Sequence, residues 1–374
     1  MAGIYIHIPF CKQACTYCDF HFSINTKKVP DIIDAIKKEL VIQKKYLGNA
    51  PINTLYFGGG TPTILIHSQL EEIFKVINDH YNLTPDAEVT MEANPDDLDS
   101  QKIQELILMG VNRLSIGIQS FEEEHLRFMN RAHSAEQAKN CVLTAYQNGI
   151  ANISIDLIYG IPNMTLDQWK NNIETALGLP ISHISCYCLT IEEKTLLKKW
   201  VDTKKVIPAD DQSIVTQYNL LVTLSQQKGF EHYEISNFSL PGFQSRHNSN
   251  YWNGEVYLGI GPSAHSFNGS SRQWNISSNQ AYIDSINNGK IFFEIEEITL
   301  EMKFNELIIT RLRTSKGLTV LELEKNLPDY HAKQFYESIN KYSISGHVKL
   351  SRNKIYITEK GWLISDTILT DLII

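Results

Sequence analysis

Apolar runs are short throughout. None approaches the roughly 18 consecutive residues of a membrane-spanning helix, and the N-terminus lacks a charged-then-apolar signal pattern. Basic charge is scarce as well. With 34 Lys and Arg against 42 Asp and Glu, the net charge of −8 argues against broad electrostatic attraction to nucleic acid or to an anionic membrane surface, and leaves room only for a local basic patch. Cysteine is sparse: six residues in 374 do not make the disulfide framework of a small secreted domain. Together these absences read as a cytoplasmic protein. The length is too great for one ordinary core and suggests one large domain with one or two smaller ones. A hydrophobic share of 43% with 20% charged residues is that of a soluble globular chain.

What the chain has instead is a series of short β-branched runs: IYIHI at 4–8, TLYF at 54–57, AEVTM at 87–91, RLSIGI at 113–118, ISIDLI at 153–158 and HISCYCL at 183–189. Between them lie segments such as DIIDAIKKELVIQKKY and SQLEEIFKVINDHY, whose apolar residues recur at threes and fours as on a helix. Strand and helix alternating in this way make repeated βαβ units with a parallel sheet, and six units predict an open, partial (β/α)6 barrel. An open doubly wound sheet is the alternative. Parallel barrels place their chemistry at the carboxyl ends of the strands, and there the unusual residues fall: cysteines, FGGGTPT, MEANP, GIQSF and DLIYGIP. Beyond about residue 190 the rhythm changes to an amphipathic helix stopped by Gly229, a strand in FEHYEIS and a polar, aromatic-rich stretch from 236 to about 275. Helices, a hairpin in HVKLSRNKIYIT and a final helix close the chain, in the order of a small winged-helix-like domain. Without a basic excess, a nucleic-acid role for it carries low weight.

Three of the six cysteines stand together. Cys11, Cys15 and Cys18 have the spacing Cys-x-x-x-Cys-x-x-Cys, which in a loop lets three thiolates meet one face of a cubane iron–sulfur cluster while the fourth iron keeps no protein ligand. A structural zinc site completed by His7 or His21, or three unrelated buried thiols, are the plainer alternatives. Cys186 and Cys188 alternate along the sixth run and read as small hydrophobes of a packed barrel, and Cys141 reads as helix core.

This cysteine spacing on the first loop of a partial barrel resembles the radical S-adenosylmethionine (SAM) superfamily, in which the cofactor's amino and carboxylate groups occupy the open iron. YIHIPFC, CDF, FGGGTPT, MEANP, NRLSIGIQSF, DLIYGIP, HNSNYW and GIGPSAHS together resemble the oxygen-independent coproporphyrinogen oxidase group and, more closely, its HemW branch of haem chaperones. The resemblance implies a [4Fe–4S] cluster on Cys11, Cys15 and Cys18, with Tyr5 and Phe20 flanking cluster and cofactor. It implies that Gly59, Gly60 and Thr61 meet the methionine part of SAM and that Glu92, Gln119, Arg131 and Asp156 contact the cofactor. It divides the chain into a radical SAM core at 1–235, a connecting region carrying the HNSNYW motif at 236–299 and the winged-helix-like domain at 300–374.

The two branches differ in function. The oxidase decarboxylates two propionate side chains of coproporphyrinogen through a deoxyadenosyl radical; the chaperone binds haem and passes it on. Phe20 stands where the oxidases resemble one another in an additional cysteine. The chain begins three residues before the first run, without the oxidases' N-terminal extension. His247, Tyr251 and Trp252 fit the HNxxYW pattern that the chaperones use for haem, where an imidazole ligates iron and the aromatic rings meet the porphyrin. The expectation is therefore a haem chaperone rather than a coproporphyrinogen dehydrogenase. It would deliver haem to haem-requiring proteins, with transient membrane contact and a homodimer allowed. A radical SAM methylase or another radical enzyme is the third reading. His265, in GPSAHS, is a second and weaker ligand candidate.

Overall fold

All six short runs form strands. In the computed structural model, which describes residues 1–374, they are β1 (Ala2–Ile8), β2 (Ile52–Gly59), β3 (Leu83–Ala93), β4 (Arg113–Gln119), β5 (Asn152–Tyr159) and β6 (His183–Cys188). They pair in chain order, each parallel to the next. The period of two sorts their side chains. Ile4, Ile6 and Ile8 of β1 are fully buried on the side of the flanking helices, while Tyr5 and His7 point the other way, level with Tyr56 and Gly58 of β2. The same register puts Glu92, Ser115, Asp156 and Ser185 on the inner face, so the barrel has an apolar outside and a polar lumen. Helices Ala135–Gln147 and Leu166–Gly178 start at capping boxes, Ser134 with Gln137 and Thr165 with Gln168, which satisfy backbone donors at those ends.

The barrel does not close. Beyond β6 the sheet continues antiparallel through β8 (Asn237–Ser239) to β7 (Glu231–Glu234). Beyond β1 it continues through β9 (Val256–Ile260), parallel to β1, and then the antiparallel strands β10 (His265–Phe267), β11 (Ser271–Asn275) and β12 (Phe293–Glu297). The resulting twelve-stranded sheet runs from β12 to β7. The polar stretch from 236 to about 275 thus supplies four strands of this sheet, β8 to β11, and the helix Arg246–Asn253. β9 buries Leu258 and Ile260, but the buried positions of β10 and β11 are Ser266, Ser271, Gln273 and Asn275. Their partners are polar too. Glu39, fully buried in the helix Val29–Ile42, accepts from the Gly261 amide (2.8 Å), the Asn275 side chain (2.7 Å) and the Tyr282 hydroxyl (2.6 Å).

The last segment packs helix Leu300–Leu312, β13 (Leu318–Thr319), two further helices and the hairpin β14 (Val348–Ser351) with β15 (Lys354–Ile357); β13 pairs with β15, in winged-helix order. It is fastened to the sheet at both ends of the arc. Thr314 bridges Glu234 of β7, the Ser315 amide donates to the Tyr233 carbonyl at 2.9 Å, and Glu306 pairs with Arg272 of β11 at 2.8 Å. No helix is long and apolar enough to cross a membrane.

Candidate functional site

The cysteine loop leaves the carboxyl end of β1 and is pinned at three places. Phe10, fully buried, anchors its start, and the Cys11 amide donates to the Ser23 carbonyl at 3.1 Å to close its base. Midway, Thr16 is buried; its amide donates to Met129 and its carbonyl accepts from Leu197. The thiols therefore stand on a fixed rim, each partly exposed. They do not converge on the radius of a single ion. Burial pushes the Cys11 thiol up and that of Cys18 to about 11, which disfavours either as a free nucleophilic thiolate.

Donors surround the sulfurs. Thr61 Oγ1 lies 3.6 Å from Cys11 Sγ, and Arg131 Nη1 lies 3.3 Å from Cys15 Sγ. Asn94 joins the two, donating to Thr61 Oγ1 at 3.0 Å and accepting from Arg131 Nη2 at 2.6 Å. Arg131 also donates to the Gly117 carbonyl, and its Nε is buried without a partner. Arg131 thus holds the cysteine rim first, and its Nε–H stays unpaired. Asn94 was not singled out as a site residue from sequence, although MEANP, which contains it, was.

Deeper in the lumen, Glu92 accepts from the Tyr56 hydroxyl at 2.7 Å and the Gly59 amide at 3.2 Å, and burial lifts its carboxyl to about 7. Asp156 is likewise lifted to about 6 by burial. Gln119 ends β4 with φ of 71°, a left-handed conformation costly for a residue with a Cβ. Gly59 and Gly60 are required by the chain's own packing. A Cβ on Gly59, where φ is 102°, would lie 2.5 Å from the His7 ring, and one on Gly60 would lie 2.5 Å from the Phe10 carbonyl oxygen.

Other expected members lie apart from the rim. Tyr5 sits in the lumen, its hydroxyl 3.2 Å from His7 Nδ1 and its ring over Tyr56, whereas Phe20 is on the cysteine loop but 68% exposed. His7 and His21 are engaged elsewhere, through the His21 carbonyl and the Asn279 side chain. Cys186, Cys188 and Cys141 all pack within or against the hydrophobic core.

His247 differs most from its expected role. It lies inside the amino end of the barrel, 3% exposed, with its ring stacked on Tyr56 at 4.9 Å. Nδ1 meets Thr54 Oγ1 at 2.8 Å and Nε2 meets the Tyr251 hydroxyl at 2.9 Å, so neither nitrogen is free for iron; burial lowers its pKa to about 3 and keeps it neutral. Tyr251 packs edge-on against Tyr257 of β9, with ring centroids 4.7 Å apart. Trp252 faces the other way, where its carbonyl accepts from Arg311 of the C-terminal segment and its indole Nε1 has no partner.

Comparison with known proteins gives the same context. The family model of the radical SAM superfamily matches residues 5–176. The haem chaperone HemW of Bacillus subtilis is 32% identical over 98% of this chain and 98% of its own length. HemW of Escherichia coli is 36% identical over 70% of this chain and 69% of its own. The solved structure of coproporphyrinogen III oxidase (HemN) from Escherichia coli, described as a radical SAM enzyme, superposes with a TM-score of 0.86 over 99% of this chain and 89% of that one, at 20% identity, which establishes a shared fold.

Proposed function

Since the chain belongs to the HemW family within the radical SAM superfamily, we propose that it is a haem chaperone that carries a SAM-ligated [4Fe–4S] cluster on Cys11, Cys15 and Cys18 and delivers haem to haem-requiring proteins in the cytoplasm, membrane-bound acceptors included. The observation that carries the reading is the cysteine rim. Three thiols stand on one pinned loop at the carboxyl end of β1, two of them receiving hydrogen bonds, from Thr61 and Arg131. Such a rim suits a group that takes three thiolates and leaves one corner free.

When bound, the cluster supplies an iron without a protein ligand, to which the amino and carboxylate groups of SAM attach. Arg131 orients Cys15 and keeps its unpaired Nε for a carboxylate. Glu92, Gln119 and Asp156 line the way into the lumen, where carboxylates accept from ribose hydroxyls or an ammonium. Haem is the cargo. In this reading His247 and Tyr251, bonded to each other, form the inner wall of its site.

The test is anaerobic reconstitution followed by titration with ferric haem, reading iron, sulfide and the Soret band. We expect saturable, near-stoichiometric haem binding and its transfer to an apo-haem protein, and loss of cluster iron and sulfide in Cys15→Ser. Failure of the wild type to bind haem, together with turnover of coproporphyrinogen, would replace the chaperone by the oxidase.

A further inference from the structure

The helix Arg246–Asn253 has two working faces. His247 and Tyr251 take the side toward the barrel, whereas Ser249, Trp252 and Asn253 line a cleft whose other wall is Ser315 and Lys316, in the turn after helix Leu300–Leu312. Donors dominate this cleft, and no Asp or Glu lines it. The Trp252 indole Nε1 is buried without an acceptor. An orphaned N–H of this kind is rare in a native structure, and it marks a place where an acceptor fits.

The cleft runs into the hairpin of the C-terminal segment. Gly317, next to Lys316, passes so close to β15 that a Cβ on it would lie 2.5 Å from the Ile355 carbonyl oxygen and from the Tyr356 ring, and Lys354 Nζ donates to the Lys316 carbonyl at 3.3 Å. Along the hairpin Lys349 pairs with Tyr356 and Ser351 with Lys354, on the face away from the buried Val348, Ile355 and Ile357. Lys316, Lys349 and Arg352 are exposed and Lys354 is half-buried. None of these four cations has an ion-pair partner, because the acids of this region are engaged elsewhere: Glu322 by Arg311, Asp366 by Arg313, Glu359 by Gln226 and Glu234 by Asn237. On a chain of net charge −8 they make a local basic surface beside a spare N–H.

We propose that the cleft and the hairpin beside it form a docking surface for an acidic protein segment, one carboxylate entering between Trp252 and Lys316 and further carboxylates meeting Lys354, Lys349 and Arg352. A carboxylate has acceptors enough for an indole N–H and an ammonium at once. Nucleic acid fits less well. The second helix of the helix-turn-helix pair would have to bring free cations to the duplex; here that helix, Asp329–Ile344, starts on an acid, and its Lys333 and Lys341 are paired with Glu337 and Asp371. The surface does not depend on the haem-chaperone reading. It adds to it a partner held, through Trp252, on the same helix that carries His247.

The experiment is fluorescence anisotropy of a fluorescein-labelled peptide of alternating Asp and Gly, with a free or an amidated C-terminus, titrated with the full chain; a labelled DNA duplex runs beside it. Wild type is compared with Lys316→Ala combined with Lys354→Ala, with Trp252→Phe, and with Lys75→Ala combined with Lys139→Ala, which removes the same charge from exposed positions on the outer helices His67–His80 and Ala135–Gln147. Each is checked for fold by circular dichroism. The expected result is saturable, salt-sensitive binding of the acidic peptide that weakens about tenfold in the Lys316 and Lys354 variant and a few-fold in Trp252→Phe, and is unchanged in the Lys75 and Lys139 variant. Equal binding of the two peptides assigns side-chain carboxylates, and preference for the free form assigns a chain terminus. Absence of saturable peptide binding to wild type, wild-type affinity in the Lys316 and Lys354 variant, or equal losses in both double variants overturns the docking surface. Tighter binding of the duplex than of the peptide, lost in the Lys316 and Lys354 variant, overturns the class of partner.

Discussion

A carboxyl group buried with three donors around it shows how single residues govern this fold. Glu39 accepts from Gly261, Asn275 and Tyr282, and so ties the first crossover helix to the strands beyond the barrel. Its ordinary pKa of 4.5 is raised to about 7 by burial. The folded chain therefore holds a proton that the unfolded chain releases between those values. This group's contribution to stability is fully present below about pH 4.5 and is lost as pH rises through 7. Glu39→Gln keeps an acceptor for Gly261, while the Tyr282 hydroxyl and the Asn275 amide can turn to suit it. Thermal unfolding of this variant should match wild type near pH 4.5 and show the smaller loss of stability toward pH 8. Equal slopes would show that Glu39 does not carry that proton. Glu39→Ala strands three buried donors and should cost about 3 kcal/mol or more at either pH. None of this was legible in the sequence, where a glutamate at position 39 reads as one more charge on an amphipathic helix. Its partners stand 222 to 243 residues away.

At the scale of elements, helix Arg246–Asn253 is held at its start by a strand. Glu88 of β3 accepts from the Arg246 and His247 amides, each at 3.0 Å, and Ser245 caps the same turn through the Asn248 amide. A carboxylate there satisfies orphan donors and opposes the helix dipole. Glu88→Ala should lower stability by about 1–2 kcal/mol in chemical denaturation and leave cluster content unchanged; a loss of iron would mean that the helix end also supports the cysteine rim. The six barrel strands could be read from the sequence because each buries a continuous or alternating aliphatic face. β9 to β12 could not. They are three to five residues long; β10 and β11 cover serine, glutamine and asparagine, β9 buries only its last three residues and β12 is exposed throughout, so the sustained apolar alternation that signals a strand is missing. The motif HNSNYW falls on one helix, but the sequence hid that Thr54 and Tyr251 occupy both nitrogens of its histidine. That Cys11, Cys15 and Cys18 share one loop could be read because their spacing is local; Asn94, which links its two donors, is brought in by folding.

For the whole molecule, Arg311 is the main tie between the C-terminal segment and the luminal helix. It donates to the carbonyls of Trp252 and Asn253 at that helix's end and pairs with Glu322 at 3.0 Å. Arg311→Ala should raise amide exchange across 246–253 and in β7 while leaving the strands β2 to β5 protected. Uniform protection in wild type and variant would show that this tie adds nothing to the helix. The arc of strands ends at β12 on one side and β7 on the other, and what spans the opening is the helix Leu300–Leu312 with the turn that follows it, attached by one β-bridge with its two backbone hydrogen bonds and by one ion pair rather than by a ladder. A closed ring of strands has a fixed circumference and admits only what fits its bore. A ring fastened by a clasp has a slot, and a flat disc passes edgewise through a slot far narrower than its own diameter.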